Sequence, residues 1–436
     1  MKKVFAFAVV LMMVAGASAA VPTIAEGSVS MTPGTGHRWM MVTYRLEGAP
    51  GIVTMDVQTN AGDNVWVSIG GAAFGAGLSG DVGRVVGTDG VRTIRWDARG
   101  TWPGRQIAAG GIRAVLTAWA TNAPPDWLAV DLTKDNTYFY CAREEDLPVA
   151  VGSAESKAGW LILKRVHASG VRWVMGTATA SDAYAGTNEK PHFVTLTNDY
   201  YMGVYEFTQG QFMTVGGSWA ATFKYPSLTN LTERPLAGYP WDYIRGNTTW
   251  PGIGLTRAAA HAVGSSSILK KLRDRTGIDF DLPTEAQWEF ACRAGTETPT
   301  YNGYASSSPR LGDIAWTRDN TPKGELDTFK SDVHTITEEY LVQPVGCKVP
   351  NGWGFYDMLG NAREFCIDSY LADIGTDEVF EPQGPVTDQA PRSVRGGGCG
   401  EGVATTCRSS TRSSQNKGAA YFYNGFRVMC PVSLKW

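Results

Sequence analysis

Along the first third of the chain, apolar and polar residues alternate with period two. Val53, Met55 and Val57 alternate with Thr54 and Asp56, Val65, Val67 and Ile69 with Trp66 and Ser68, and Ile112, Ala114, Leu116 and Ala118 share one face of a further run. Such spacing predicts half-buried strands. Glycine-bearing breaks at 80–83, 87–90 and 109–111 separate them at sandwich-like intervals. Residues 20–132 are therefore expected to form a β-sandwich of about a hundred residues. Trp96 and Trp102 in it offer either a sugar-binding surface or, as is commoner for tryptophans on a small sandwich, sheet packing.

Beyond a polar stretch at 133–158, expected to be a linker, the pattern becomes mixed. Leu161–Val166 is an apolar strand. Thr284 followed by Gln287 predicts a capping box opening a helix with Trp288, Ala291 and Cys292 on its inner face and Gly295 as its C-terminal cap. Ser265 or Ser266 is expected to open a helix through Leu269 and Leu272 that stops at Gly277, and Thr208 one containing Phe212. The fold class is thus α+β, with a β-sandwich in front of a second, loop-rich domain at 159–436.

Composition sharpens this picture. Residues 1–19 run from Lys2 and Lys3 through an apolar stretch to Ala17-Ser18-Ala19, the order of a secretory signal. The expected location is therefore outside the cytoplasm: periplasmic, cell-surface or extracellular. No later stretch has the length of a membrane span. The net charge of −3, with dispersed basic residues, argues against nucleic acid as a partner. Six of the 7 cysteines (Cys292, Cys347, Cys366, Cys399, Cys407 and Cys430) cluster late in the chain, which favours disulfides in an oxidising compartment. The 5 histidines (His37, His167, His192, His261 and His334) have no metal-ligand spacing, and His192 is expected to be a hydrogen-bonded structural residue.

From about Gly159 to Val432 an ordered set of motifs resembles the formylglycine-generating enzyme family, also called sulfatase-modifying factor domains. Trp173-Val174-Met175-Gly176 resembles its opening strand, Glu189 to Val194 its E-x-P-x-H-x-V segment, and Val204 to Thr208 its next helix start. Leu282 to Ala291 resembles R-L-P-T-E-A-E-W-E-Y-A, and Asn351 to Asn361 resembles N-x-x-G-L-Y-D-M-x-G-N. Arg395-Gly396-Gly397, Cys407-Arg408-Ser409 and Gly425-Phe426-Arg427 complete the set. The resemblance implies a loop-rich, C-type-lectin-like fold. It also implies a Cys292–Cys407 disulfide and a calcium site using the side chains of Asp357 and Glu364 with the carbonyls of Gly360 and Ala362. The alternative is that Asp357 and Glu364 cap turns and bond backbone amides.

Oxidising members of this family carry two nearby cysteines after Gly-Gly-Ser, soft ligands suited to copper(I). Here Gly398 replaces the serine, Cys399 comes early, Glu401 stands where the first active cysteine is expected, and Cys407 fits the structural cysteine better than the catalytic one. Arg363 replaces the family's usual tryptophan. Copper is therefore not expected, and Cys399, Glu401 and Cys407 are the remaining catalytic candidates, with a shifted Cys399/Cys407 pair as the redox alternative. Two functions follow: a non-oxidising relative that binds an extracytoplasmic protein, peptide or glycan, or a copper-dependent oxidase converting a cysteine of a secreted sulfatase to formylglycine.

Overall fold

The structure, a computed structural model, describes residues 20–34, 38–105, 110–178, 181–218, 223–224, 230–246, 262–305, 307–330, 333–382 and 391–432. The expected signal at 1–19, His37, His261 and the break residue Ala109 lie outside the described residues, as does the side chain of His334.

Two four-stranded antiparallel sheets make up the front of the molecule. One is built on Gly51–Asn60, flanked by Ile112–Ala120 and the short strands Trp66–Ser68 and Val85–Val86; the other orders Ser30–Pro33, Met40–Tyr44, Arg92–Trp96 and Leu78–Gly80. Val53, Met55 and Val57 lie opposite Ala118, Leu116 and Ala114 and enter a core with Val42, Ile94 and Trp96. Trp96 is fully buried and its indole donates to Thr101 Oγ1 (2.9 Å), which places it in packing and not on a sugar-binding face. Val65 and Val67 depart from the expected half-burial, being 57% and 49% exposed, because Trp66–Ser68 is an edge strand whose valine face is uncovered. Trp66 instead packs under Arg113 at 4.3 Å.

The boundary also differs from the sequence expectation. Trp127–Asp131 pairs with Trp160–Val166 and with Tyr138–Cys141, inside a five-stranded sheet completed by Tyr200–Gly203 and Met429–Pro431. The stretch expected as a linker holds that strand at 138–141, a 3-10 turn at Glu144–Asp146 and a helix at Ala154–Ala158. Ile52 of the sandwich packs in one cluster with Leu128, Tyr140 and Leu163, so the two regions share buried surface.

Helices are few and short. Thr208 and Thr284 each form a complete capping box with the Gln three residues on, opening Gln209–Thr214 and Glu285–Arg293. Trp288, Ala291 and Cys292 are fully buried on the second of these. Its left-handed terminal residue is Ala294, one before the expected Gly295, which also has positive φ. Ile268–Thr276 is capped by Ser267, not Ser265 or Ser266, since the Ser267 hydroxyl accepts from Lys270 N (3.1 Å); it ends at Gly277 as expected.

Candidate functional site

A four-stranded sheet orders Ser413–Gln415, Arg392–Arg395, Arg363–Ser369 and Asn424–Gly425. At its end the chain turns through Gly396 and Gly397, both at positive φ. A Cβ on Gly397 would stand 2.8 Å from Cys407 Sγ, so only glycine allows this approach. The turn delivers Glu401 to Arg363, and the two side chains form an ion pair that is 10% and 19% exposed. Glu401 also accepts from Gly398 N (3.0 Å), while the Arg363 guanidinium stands 5.4 Å from the centre of the Tyr423 ring. The two departures from the family pattern thus bond each other. Beside them Tyr423 packs edge-on against Tyr421 and Phe422, at 4.6 and 4.8 Å between ring centres, Tyr421 and Phe422 are tilted at 5.1 Å, and Tyr421 is 37% exposed. These aromatics were missed in the sequence, although three aromatics in succession were a usable signal.

The cysteines are placed apart. Cys399 donates to Tyr340 O (3.1 Å) among Leu326, Leu341 and Val342, whereas Cys407 belongs to the apolar cluster of Trp288, Cys292 and Phe355. Burial pushes the Cys407 thiol up to about 12 and raises Cys399 further still. A thiol so raised carries almost no thiolate at neutral pH, the form that binds metal or attacks. The structure does not show the expected Cys292–Cys407 disulfide and holds all seven cysteines as free thiols. The two sulfurs share one apolar cluster as separate thiols, with Cys407 Sγ 3.9 Å from Thr406 Oγ1 and Cys292 pushed up to about 12 by burial.

Asp357 and Glu364 do come together, in a buried cluster with Glu206 and Arg427. Arg427 meets both Glu364 oxygens at 2.7 and 2.8 Å, and the Trp288 indole donates to Glu364 Oε2 at 2.7 Å. Glu206 accepts from Asn361 Nδ2 and Ala362 N, both at 2.8 Å. Asp357, at φ 53°, accepts from Gly346 N (2.6 Å) through Oδ2, and its Oδ1 is buried without a hydrogen-bond partner. Burial above all, with the Glu364 charge adding, raises Asp357 to about 6; burial followed by the Asp357 and Glu364 charges raises Glu206 well above the carboxylate range. This arrangement does not fit the expected calcium set. Arg427, bound to both Glu364 oxygens, already supplies the positive charge that Glu364 would share with the ion. Among the described residues no group of three or more His, Cys, Asp or Glu is placed to hold a metal.

The second region is thus a loop-rich α+β fold of C-type-lectin-like character, with the Arg363–Glu401 ion pair at the end of its four-stranded sheet. The chain belongs to the sulfatase-modifying factor enzyme 1-like domain family, which residues 165–431 match. The formylglycine-generating enzyme of Thermomonospora curvata is 30% identical over 207 residues, 43% of this chain and 63% of that enzyme. Chaperone protein LppX of Paenibacillus barcinonensis is 27% identical over 200 residues, 43% of this chain and 66% of that protein. The chain therefore spans about half to two thirds of the length of these curated relatives. Among solved structures, Treponema denticola variable protein 1 is 23% identical with a TM-score of 0.46, over 65% of this chain and 98% of that one. No helix of the described residues is long and apolar enough to cross a membrane.

Proposed function

We propose that this protein is an exported, non-oxidising member of its family that binds a polypeptide outside the cytoplasm through the face around Arg363, Glu401 and Tyr421. The observation that carries this reading is the Arg363–Glu401 pair: a hard carboxylate tied to a guanidinium occupies the place where oxidation would need a soft sulfur ligand. Cys399 and Cys407, the remaining sulfurs of the segment, are buried with raised pKa values in different clusters. A partly exposed tyrosine next to a charged pair suits recognition, since it combines apolar area with a polar tip at low entropy cost. That one relative is named a chaperone protein favours polypeptide over glycan as the partner. The order of charged, apolar and small residues at 1–19 supports export.

Copper(I) distinguishes this reading from the oxidase. In competition with a colorimetric chelator under reducing conditions, the folded protein is expected to leave the chelator–copper signal unchanged. Stoichiometric withdrawal of copper that disappears in Cys399→Ser would establish a working thiolate site and the oxidase reading.

A further inference from the structure

A separate pocket of about 330 Å³, lined by neither Arg363 nor Glu401, lies between the strand His192–Thr195, the start of the helix Glu285–Arg293 and the segment 371–382. That volume is near the lower end of those that hold small ligands. Its walls are apolar, with Met175, Leu371, Ile374 and Val379 among them. Its polar groups, His192, Glu285, Asp368 and Arg412, are each at least nine-tenths buried. The outer wall is fixed in place: Lys190 pairs with Asp373 at 2.7 Å, Arg172 with Glu378 at 2.8 Å, and Val379–Phe380 joins His192–Thr195 as a parallel strand. The site therefore exists before any ligand arrives, which lowers the cost of binding.

The polar groups define what the pocket accepts. Arg412 is engaged by both Glu285 oxygens (2.5 and 2.9 Å) and by the carbonyls of Asn188 and Leu371 (2.9 Å each), so its charge is balanced and most of its donors are used. His192 Nδ1 lies 3.0 Å from Lys190 O. A carbonyl only accepts, so Nδ1 carries the hydrogen, and in the neutral ring Nε2 presents a lone pair. No hydrogen bond from Nε2 is made among the described residues. With most of the Arg412 donors used and His192 Nε2 left as an acceptor, the lining favours a ligand that donates.

We propose that this pocket binds a small amine on an apolar body of about a dozen non-hydrogen atoms, its ammonium donating to His192 Nε2. This function is independent of the polypeptide-binding face, so its failure would leave that reading untouched. Phenethylamine, 2-phenylethanol and phenylacetate share one ring and differ in the head group, and a Phe-Gly-Gly amide carries the same ammonium on a chain terminus. Binding to the full chain is followed by calorimetry or by chemical shift. Phenethylamine is expected to saturate, about tenfold tighter than phenylacetate, with the alcohol between them. Tighter binding of the tripeptide than of phenethylamine would instead make the ligand a polypeptide terminus. The proposal is overturned if phenylacetate binds as well as the amine, or if nothing saturates by roughly 10 mM, beyond the range of a functional small-ligand site. His192→Phe removes the acceptor and should weaken the amine about tenfold; unchanged affinity would also overturn it. Should that variant melt early, Leu371→Lys at the 45% exposed rim serves in its place. It should weaken the amine and strengthen phenylacetate, and unchanged affinities would count against the site.

Discussion

The front sandwich and the second region keep their interiors together by different means. In the front, Val42, Val53, Val57, Ile94 and Trp96 form an apolar core, and ion pairs such as Arg38–Asp97 and Arg92–Asp89 lie at the surface. The second region instead buries Arg245 with Asp281, Arg395 with Glu289, Arg408 with Glu189, Arg412 with Glu285 and Arg427 with Glu364. Backbone geometry explains the difference. Paired strands satisfy their own amides and carbonyls, whereas buried loops leave carbonyls that need donors from elsewhere. A guanidinium has five donors. Arg395 gives to Ser410 O and Thr411 O, and Arg427 to Gly203 O and Tyr356 O, while a carboxylate balances each charge. Arg363 with Glu401 is a more open pair, 19% and 10% exposed.

The sharpest contrast comes from deleting one anchor of each kind. Arg427→Met strands the Glu364 charge and two carbonyls in the interior and is expected to cost about 3–5 kcal/mol. Part of that cost should return in the double variant with Glu364→Gln, because the stranded charge is then gone. Ile94→Ala in the front core should cost about 2–5 kcal/mol by lost burial and a cavity. Urea unfolding at two pH values separates the causes. For Glu285 and Glu289 burial pulls the pKa upward, but Arg412 in the first case and Arg293 with Arg395 in the second outweigh it, so both are held below the ordinary carboxylate range. Their contribution is present above the unfolded-state pKa and is lost as pH falls through the lower, folded value. Acid should therefore weaken the second region first; equal acid sensitivity of the two regions would break the comparison.

The intermediate effect has the opposite sign. Asp357 is raised to about 6, so the native state loses stability relative to a non-titrating residue as pH rises from the unfolded carboxylate range through that value. Asparagine can keep the Gly346 bond, suits the positive φ, and carries no charge. Asp357→Asn is expected to gain about 1–3 kcal/mol at pH 8 and nothing at pH 3. Added calcium should leave the melting temperature of the parent unchanged. A calcium-dependent rise abolished by Asp357→Asn would show that the cluster is an ion site after all.

These results also mark what the sequence could reveal. Period-two alternation located the inner face of Gly51–Asn60 because a sheet covered on one side imposes that pattern. It misjudged Val65 and Val67, since periodicity does not say that a strand lies at an edge. The Thr284 capping box and the helix start at Thr208 were legible because such bonds span three residues, whereas the box that Thr208 completes with Gln211 was not read. The ion pairs were not, because Glu364 and Arg427, or Glu289 and Arg395, meet only once the fold is made. At the candidate site, Arg363 and Glu401 were each visible as departures, yet nothing local announced that they touch. His192 was expected to be a hydrogen-bonded structural residue; its Nδ1 makes that bond, while the pocket beside Nε2 depends on a loop nearly two hundred residues away.

The smallest effect tests a local element of the second region that involves no buried charge. Thr284→Ala removes one half of a capping box and should cost about 1 kcal/mol without changing acid sensitivity. A loss several times larger would mean that the cap also supports the Glu285–Arg412 pair next to it.

The proposed function rests on the partly exposed Arg363–Glu401 pair standing where oxidation would need a soft sulfur ligand. Purified protein is incubated with copper(I), reductant, oxygen and a Cys-x-Pro-x-Arg peptide, and the peptide mass is followed for thiol-to-aldehyde conversion. The expected result is no conversion above a control without protein. Turnover that vanishes in Cys399→Ser would contradict the account, because it would require the buried Cys399 thiol to act as a thiolate beside an intact Arg363–Glu401 pair.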